Sequence, residues 1–472
     1  MTATTNPPPA RPMPGWLKGG LLAALVFAAC WGIAIWYWRE TDNVPSTASL
    51  VTYLLALPSA LVGASWLARE QLIKSVDVPA VAAAHQHIPA SRAQPPLAIL
   101  AASLRMPHGE SPEALSAALV NNTARADLDP ELVDDDGYPL MTARNSDATD
   151  DAMQEEMTEW WTAHGVPVPS DGLELWRALT MATAVVGELA SRAACDLMPA
   201  EGAPPMLQLI PILPSEWSID DRRVAGAWFT DTVEKFGWPQ ERIALVEEKY
   251  EFSSPGQIFG RLMQGAPTGV PVVALVVACA SNIGEETVVR WVDDRTLFTS
   301  SHPQGLIPGE GAAGLLVTDL GQARMIEGAL FTLLDPPAEA CRHVSADDTR
   351  RADSTVLVEV IDRALKPAGA HLSDVAMLVA DTGHRASRVL ELMGFASGAM
   401  PQLDGVADVI RVGAASGTCG HVPYMAALAL GNHHALERNA PVLCISNEDS
   451  YRRCSVLIRP AESVDRPPHA SA

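Results

Sequence analysis

From Leu97 onward the chain alternates continuous apolar runs of strand length with stretches of helical period. The runs Leu97–Ser103, Leu207–Leu213, Val270–Cys279, Gly314–Leu320, Val375–Ala380 and Val442–Ser446 are bounded by turn residues and read as strands buried on both faces. Thr355–Val360 reads as either a strand or a helix. Helical patterns fill the intervals at Gly172–Cys195, Val224–Phe236 and Val422–Glu437, with a short one at Ala407–Arg411. Buried strands separated by helices predict an α/β body whose parallel or mixed sheet is covered on both faces.

Two further apolar runs have a different character. Leu17–Trp38 holds one charge, Lys18 at its edge, and ends in Trp36, Tyr37 and Trp38. Ala48–Ala68 is uncharged, with Pro58 inside and Trp66 near its end. About 20 apolar residues span a bilayer as a helix, and Trp and Tyr favour its interface. Two transmembrane helices (17–38 and 48–68) are therefore expected within an anchor over residues 1–75, and a cleaved signal peptide is the competing reading. Arg11 and Lys18 before the first run, and Arg69 and Lys74 after the second, outnumber Arg39 in the loop between them. The positive-inside rule then places both ends, and the body, in the cytoplasm. Residues 76–96 have no period and read as a linker. The remainder divides into halves at 97–330 and 331–472.

Charge narrows the range of partners. The formal net charge is −23, and because residues 1–74 are net basic the whole deficit lies in the body. Such a surface repels phosphate backbones, so no nucleic acid partner is expected. The seven cysteines include no C-x-x-C pair and no histidine at ligand spacing, so neither a disulfide framework nor a bound metal or cofactor is expected. The acidic stretch Asp127–Asp151 lacks EF-hand spacing and reads as a solvated loop.

Candidate chemistry centres on GLIPGEGAAGLLVTDL (305–320), where glycines and Glu310 stand before a buried run. Gly309 and Gly311 would permit unusual backbone angles or a close approach of another backbone. The stretch resembles the P-G-E-G-A-A loop of β-ketoacyl synthases, in the thiolase-like superfamily. Three other segments resemble that family in matching order: LAILAASLRMPHGESPEALSAAL (97–119), GVPVVALVVACAS (269–281) and GAASGTCGHVPYMAALAL (413–430). The resemblance covers residues 97–459 and implies a layered α/β/α/β/α body.

The same resemblance implies a nucleophilic cysteine at the start of the helix before 269–281, where a helix N-terminus activates the thiolate. The sequence there reads KYEFSSPGQ, with Ser253 and Ser254 at the position and no cysteine between Asp196 and Ala278. It places Asp381 at the first catalytic histidine and displaces His384 by three residues, and only His421 matches a catalytic position. Cys279 reads as a small buried hydrophobe, and Glu310 as a structural residue bonded to backbone N–H groups. The expectation is a pseudoenzyme with no catalytic residues and vestigial positions Ser253, Ser254, Asp381, His421 and Glu310.

The layout of two spans, a linker and a degenerate thiolase-like body is also similar to the lipase-adaptor proteins of bacterial type VI secretion. That similarity implies an inner-membrane carrier whose protein partners are a toxic lipase effector and a component of the secretion spike. Alternatives are a membrane-bound acyltransferase or hydrolase using Ser253 or Cys279 with His421, and an acyl-chain sensor. Trp160, Trp161 and Trp217 lie among acidic and polar neighbours and are candidate partner-binding anchors, unless they simply cover the sheet edge. A homodimer paired through Val270–Cys279 is expected from the resemblance.

Overall fold

A computed structural model describes Trp31 and residues 94–461, apart from 135–136, 166–171, 200, 247–253, 267–268, 329 and 349–352. Apart from Trp31, which is helical, and residues 94–96, the expected membrane spans and the linker lie outside the described residues, as does Ser253. Among the described residues no helix is long and apolar enough to cross a membrane.

The strands run in chain order as β1 (Leu97–Arg105), β2 (Asp127–Val133), β3 (Pro139–Thr142), β4 (Leu207–Ile212), β5 (Ile243–Leu245), β6 (Val273–Ser281), β7 (Glu310–Asp319), β8 (Thr332–Leu334), β9 (Ala338–Cys341), β10 (Met377–Ala380), β11 (Val409–Arg411), β12 (Val442–Ser446) and β13 (Arg452–Pro460). The principal helices are α1 (Pro112–Val120), α2 (Asp151–Ala163), α3 (Leu173–Leu197), α4 (Ile219–Lys235), α5 (Pro255–Gly265), α6 (Glu285–Asp293), α7 (Leu320–Met325), α8 (Thr355–Leu365), α9 (Ala386–Ala399), α10 (Gly413–Ser416) and α11 (Val422–Arg438).

The main sheet has the order β11-β10-β12-β13-β8-β1-β7-β6-β4-β5. This order contains a repeat. Ranked by chain position, each flank of the β1–β8 contact reads third, second, fourth, fifth, first. In both flanks the outer three strands pair in parallel and the next two contacts are antiparallel. The flanks meet where β1 and β8 pair antiparallel, Leu97 opposite Leu334.

Side-chain alternation along these strands builds the layers. Ala274, Val276 and Ala278 of β6, with Val442 and Cys444 of β12, face one core that also holds Ile258 and Phe259 of α5 and Val422–Leu430 of α11. Val273, Leu275 and Val277 of β6 face a second core against α3 and α4. Leu443 and Ile445 of β12 face a third core against α8 and α9. Helices α5 and α11 are thus a central layer between two sheet halves, each with helices on its outer face. Period-2 strands buried on both sides require this arrangement.

Four sequence readings are resolved or changed. Thr355–Val360 belongs to α8, because Leu357, Val360, Ile361, Ala364 and Leu365 share one buried face. Ala407–Arg411 ends in strand β11, paired in parallel with β10. The acidic stretch is not simply a solvated loop. It contains the β2–β3 hairpin, and Asp129 within it is buried and held by Arg144 at 2.8 and 2.9 Å and by Thr142 at 2.6 Å. Burial opposes the charge, but these donors and the amides of Leu132 and Glu131 outweigh it and bring the Asp129 carboxyl down to about 2. The fourth change concerns dimerisation. Strand β6 begins at Val273 and is hydrogen-bonded to β4 and β7 on its two sides, so the expected dimer strand offers no free edge.

Candidate functional site

The glycine-rich loop that leads into β7 is a junction between segments. The amide of Ala143 donates to Pro308 O at 2.8 Å, that of Asn282 to Gly309 O at 3.0 Å, and that of Thr418 to Ile307 O at 2.7 Å. Gly309 keeps an ordinary φ, and its need for glycine is spatial, because a Cβ there would lie 1.9 Å from Ser416 O. Glu310 begins β7 and is fully buried. Its carboxylate accepts from Arg177 Nε at 2.8 Å and Nη2 at 2.5 Å, from Ser281 Oγ at 2.9 Å and from the amide of Asn145 at 2.7 Å. Arg177 also donates to Asn145 O at 2.7 Å. Every contact of Glu310 ties α3, β6 and the β3 exit to this loop, which is structural work.

Ser254 and His421 are the residues immediately before α5 and α11. Ser254 caps α5, its Oγ accepting from the Gln257 amide at 3.2 Å while donating to the Glu339 carboxylate of β9. Gln257 Nε2 donates to the other Glu339 oxygen at 3.1 Å. A Cβ on Gly256 would lie 2.5 Å from Glu339 Oε1 and 2.9 Å from Cys454 Sγ, so β9 and β13 press directly on the first turn of α5. Cys454 in turn lies 3.2 Å from the hydroxyl of Tyr424, one turn inside α11 from His421. Glu339, Tyr424 and Cys454 carry no motif, and sequence reasoning missed them. The one available signal was the apolar centre of 452–460, which the flanking arginines interrupt.

Asp381 follows β10. It accepts from Ser446 Oγ at 2.5 Å and from the amides of Asn447 at 2.8 Å and Glu448 at 3.1 Å. Burial is the main influence on its carboxyl, opposed by these donors and reinforced by the nearby Glu448 charge, and the result is a rise from 3.8 to about 6. The folded chain therefore holds this proton more tightly than the unfolded chain. The stabilising contribution is complete below 3.8 and is lost as pH rises through 6. An Asp381→Asn variant should accordingly gain in melting temperature relative to the parent between pH 4.5 and 7.5. Parallel melting curves across that range would refute the assignment.

His421 is the residue before α11. It is exposed, although neighbouring protein crowds its ring. That crowding, then the Arg452 charge, lowers its basicity, with Asp449 opposing. His384 packs edge-on to Phe298 at 5.2 Å, and burial holds it below the ordinary histidine range. Among the described residues Ser254, Asp381 and His421 share no hydrogen bond with one another. Ser254 and Asp381 are bonded instead into their own local frameworks, and His421 accepts from the Met425 amide at its backbone carbonyl.

Cys279 lies on the face of β6 that packs against α3, away from α5 and α11, and burial pushes it up to about 12. Burial likewise raises Cys419, Cys444 and Cys454. Of the described cysteines, Cys195 and Cys341 are exposed. Iodoacetamide at pH 7.5 should modify Cys195 and Cys341 in the folded chain and reach the other four only after denaturation. Labelling of Cys279 or Cys454 without denaturant would return a reactive thiol to the interior.

The tryptophans separate. Trp161 is fully buried against Trp176, ring centroids 4.6 Å apart, and so cannot serve as a surface anchor. Trp160 is half-buried, stacked on His164 at 4.1 Å. Trp217 is half-buried beside Ile219, which is 79% exposed.

No protein-family model matches the sequence, and no curated protein sequence resembles it. Solved structures do match. The AntDE:AntF structure, a type II PKS acyl-carrier protein in complex with its ketosynthase, aligns with TM-score 0.55 at 11% identity, covering 78% of this chain and 100% of its own. The ketosynthase from module 6 of the bacillaene synthase of Bacillus subtilis 168 aligns with TM-score 0.51 at 12% identity, covering 77% and 72%. The ishigamide ketosynthase/chain length factor gives 0.50 at 14%, covering 78% and 99%. With its repeated strand order and its central pair of helices, the body has the thiolase-like fold of the ketosynthases.

Proposed function

We propose that this chain is a pseudoenzyme that uses the ketosynthase fold to bind another protein. The observation that carries the reading is the first turn of α5, where no cysteine stands. Ser254 is held there as the helix cap by the Gln257 amide and the Glu339 carboxylate, a weak base toward a hydroxyl, with no histidine among its described hydrogen-bond partners. A serine held in this way is a poor nucleophile at neutral pH. An acid, Asp381, stands where the resemblance puts a histidine, and the buried cysteines are far from ionising. The AntDE:AntF ketosynthase engages an acyl-carrier protein. Such carriers are acidic, and the net charge of −23 here opposes an encounter of that kind.

The finer reading rests on the sequence layout. The chain is an inner-membrane adaptor with a cytoplasmic body that receives a lipase effector for type VI secretion, and Trp217 with Ile219 is the first surface to test. Affinity for the effector, measured with the purified full chain, separates the readings. Trp217→Ala and Ile219→Asp should weaken binding about tenfold or more, since a few apolar anchors dominate interfaces. Ser254→Ala and His421→Ala should bind as the parent does. Loss of binding or delivery on His421→Ala alone, with the fold intact by circular dichroism, would defeat the adaptor reading.

A further inference from the structure

Away from the vestigial site, the last turns of α11 carry the run His433-His434-Ala435-Leu436-Glu437. Spacings of three and four residues bring Glu437 to the same helical face as both histidines. His434 Nδ1 lies 3.0 Å from Glu437 Oε2, and His433 Nε2 lies 3.9 Å from the same oxygen. Among the described residues this is the one group of three His, Cys, Asp or Glu side chains whose ligand atoms all fall within 4.8 Å.

The outward nitrogens carry the argument further. His434 Nε2 is 3.0 Å from Ser116 Oγ in a buried hydrogen bond, and His433 Nδ1 is 3.5 Å from Glu113 Oε1. Both partners belong to α1. The Glu437 carboxylate accepts from His434 Nδ1, so Nε2 of that ring accepts from the Ser116 hydroxyl, while the Glu113 carboxylate draws the N–H of His433 to Nδ1. A cation that replaced the His434 Nδ1 proton would take that lone pair, and the ring would then donate Nε2–H to Ser116. An imidazole whose far N–H is held by a carboxylate or hydroxyl is the outer-shell arrangement that fixes a histidine for metal ligation. In a tetrahedral site with bonds of about 2.1 Å, neighbouring ligand atoms sit roughly 3.4 Å apart. The separations of 3.0 and 3.9 Å bracket that value. The C-terminal end of a helix also favours a cation.

We propose that His433, His434 and Glu437 form a divalent-cation site of the zinc type on α11, with Glu113 and Ser116 of α1 as its outer shell. Three protein ligands leave a fourth position for water or an external donor. The site needs no cysteine, which is why cysteine spacing in the sequence gave no sign of it.

The test uses the full chain in detergent, without a histidine tag and stripped by chelator, titrated with Zn2+ by calorimetry and with Co2+ by visible absorption. One tight site per chain and the intense absorption of tetrahedral Co2+ are expected. Ser116→Ala should weaken binding about tenfold, the scale of outer-shell losses, and His433→Gln/Glu437→Gln about a hundredfold or more, with the Co2+ band gone. His421→Gln should change neither. Should the double variant misfold, the single Glu437→Gln change at an exposed side chain still has to remove the band. A parent chain that binds neither ion at micromolar concentration overturns the proposal. So does binding that survives the ligand substitutions, or that His421→Gln removes.

Discussion

Replacing Arg177 by methionine is expected to cost about 3–5 kcal/mol of stability, read as a lower urea midpoint for the cooperative unfolding of the body. The side chain is buried and makes three bonds, two to Glu310 and one to Asn145 O. Its loss leaves the buried Glu310 carboxylate without its bonded cation, and an undercompensated buried charge accounts for most of the penalty. Removing both partners, as Arg177→Met/Glu310→Leu, should be milder than the sum of the single changes, because the orphaned charge is gone. A midpoint for Arg177→Met within about 1 kcal/mol of the parent would mean that the junction among α3, β6 and β7 does not rest on this pair.

That junction illustrates how much the sequence disclosed. The glycines and Glu310 stood out in 305–320, and the close backbone approach at Gly309 was one of two explanations available from composition. Arg177 was invisible, because an arginine on the buried face of a helix has no local signature and its partner is 133 residues distant. Strands β1, β4 and β12 were legible since both faces are apolar, as a strand between two helical layers demands. Strand β13 was not, for its first residues are charged. Arg453 is fully buried there, bonded to Glu391 at 2.9 Å, and a paired buried charge reads in sequence as a solvated one. Valines left the reading of α8 open between strand and helix, and only the three-and-four spacing of its buried residues decides for helix.

The candidate site divides in the same way. Positions at helix starts, Ser254 and His421, follow from glycine, proline and capping patterns near them, and the family likeness put them in order. Glu339, Tyr424 and Cys454 reach the same place through sheet pairing and the burial of α11, relations between segments that no window of sequence contains. Trp161 shows the converse error: its acidic neighbours on α2 face solvent, while the ring itself turns into the core.

The second large expectation concerns chemistry. A condensing enzyme of this fold begins by taking an acyl group from a thioester onto its nucleophile, so the chain itself gains the acyl mass. Here the hydroxyl of Ser254 is bonded to Glu339, and Cys279 would have to ionise from about 12 on the wrong face of β6. At pH 7.5 a thiol with that value is ionised at roughly one part in 10⁴ or less, and a weakly populated nucleophile reacts correspondingly slowly. Transfer should be no faster than to denatured chain. The direct measurement is intact-mass spectrometry of the folded full chain after incubation with short- and long-chain acyl thioesters, both coenzyme A and carrier-protein forms. We predict an unchanged mass, with any trace adduct mapping to exposed Cys195 or Cys341. A stoichiometric acyl adduct on Ser254, or on any residue beside it at the start of α5, would contradict the pseudoenzyme account and make this chain an acyltransferase.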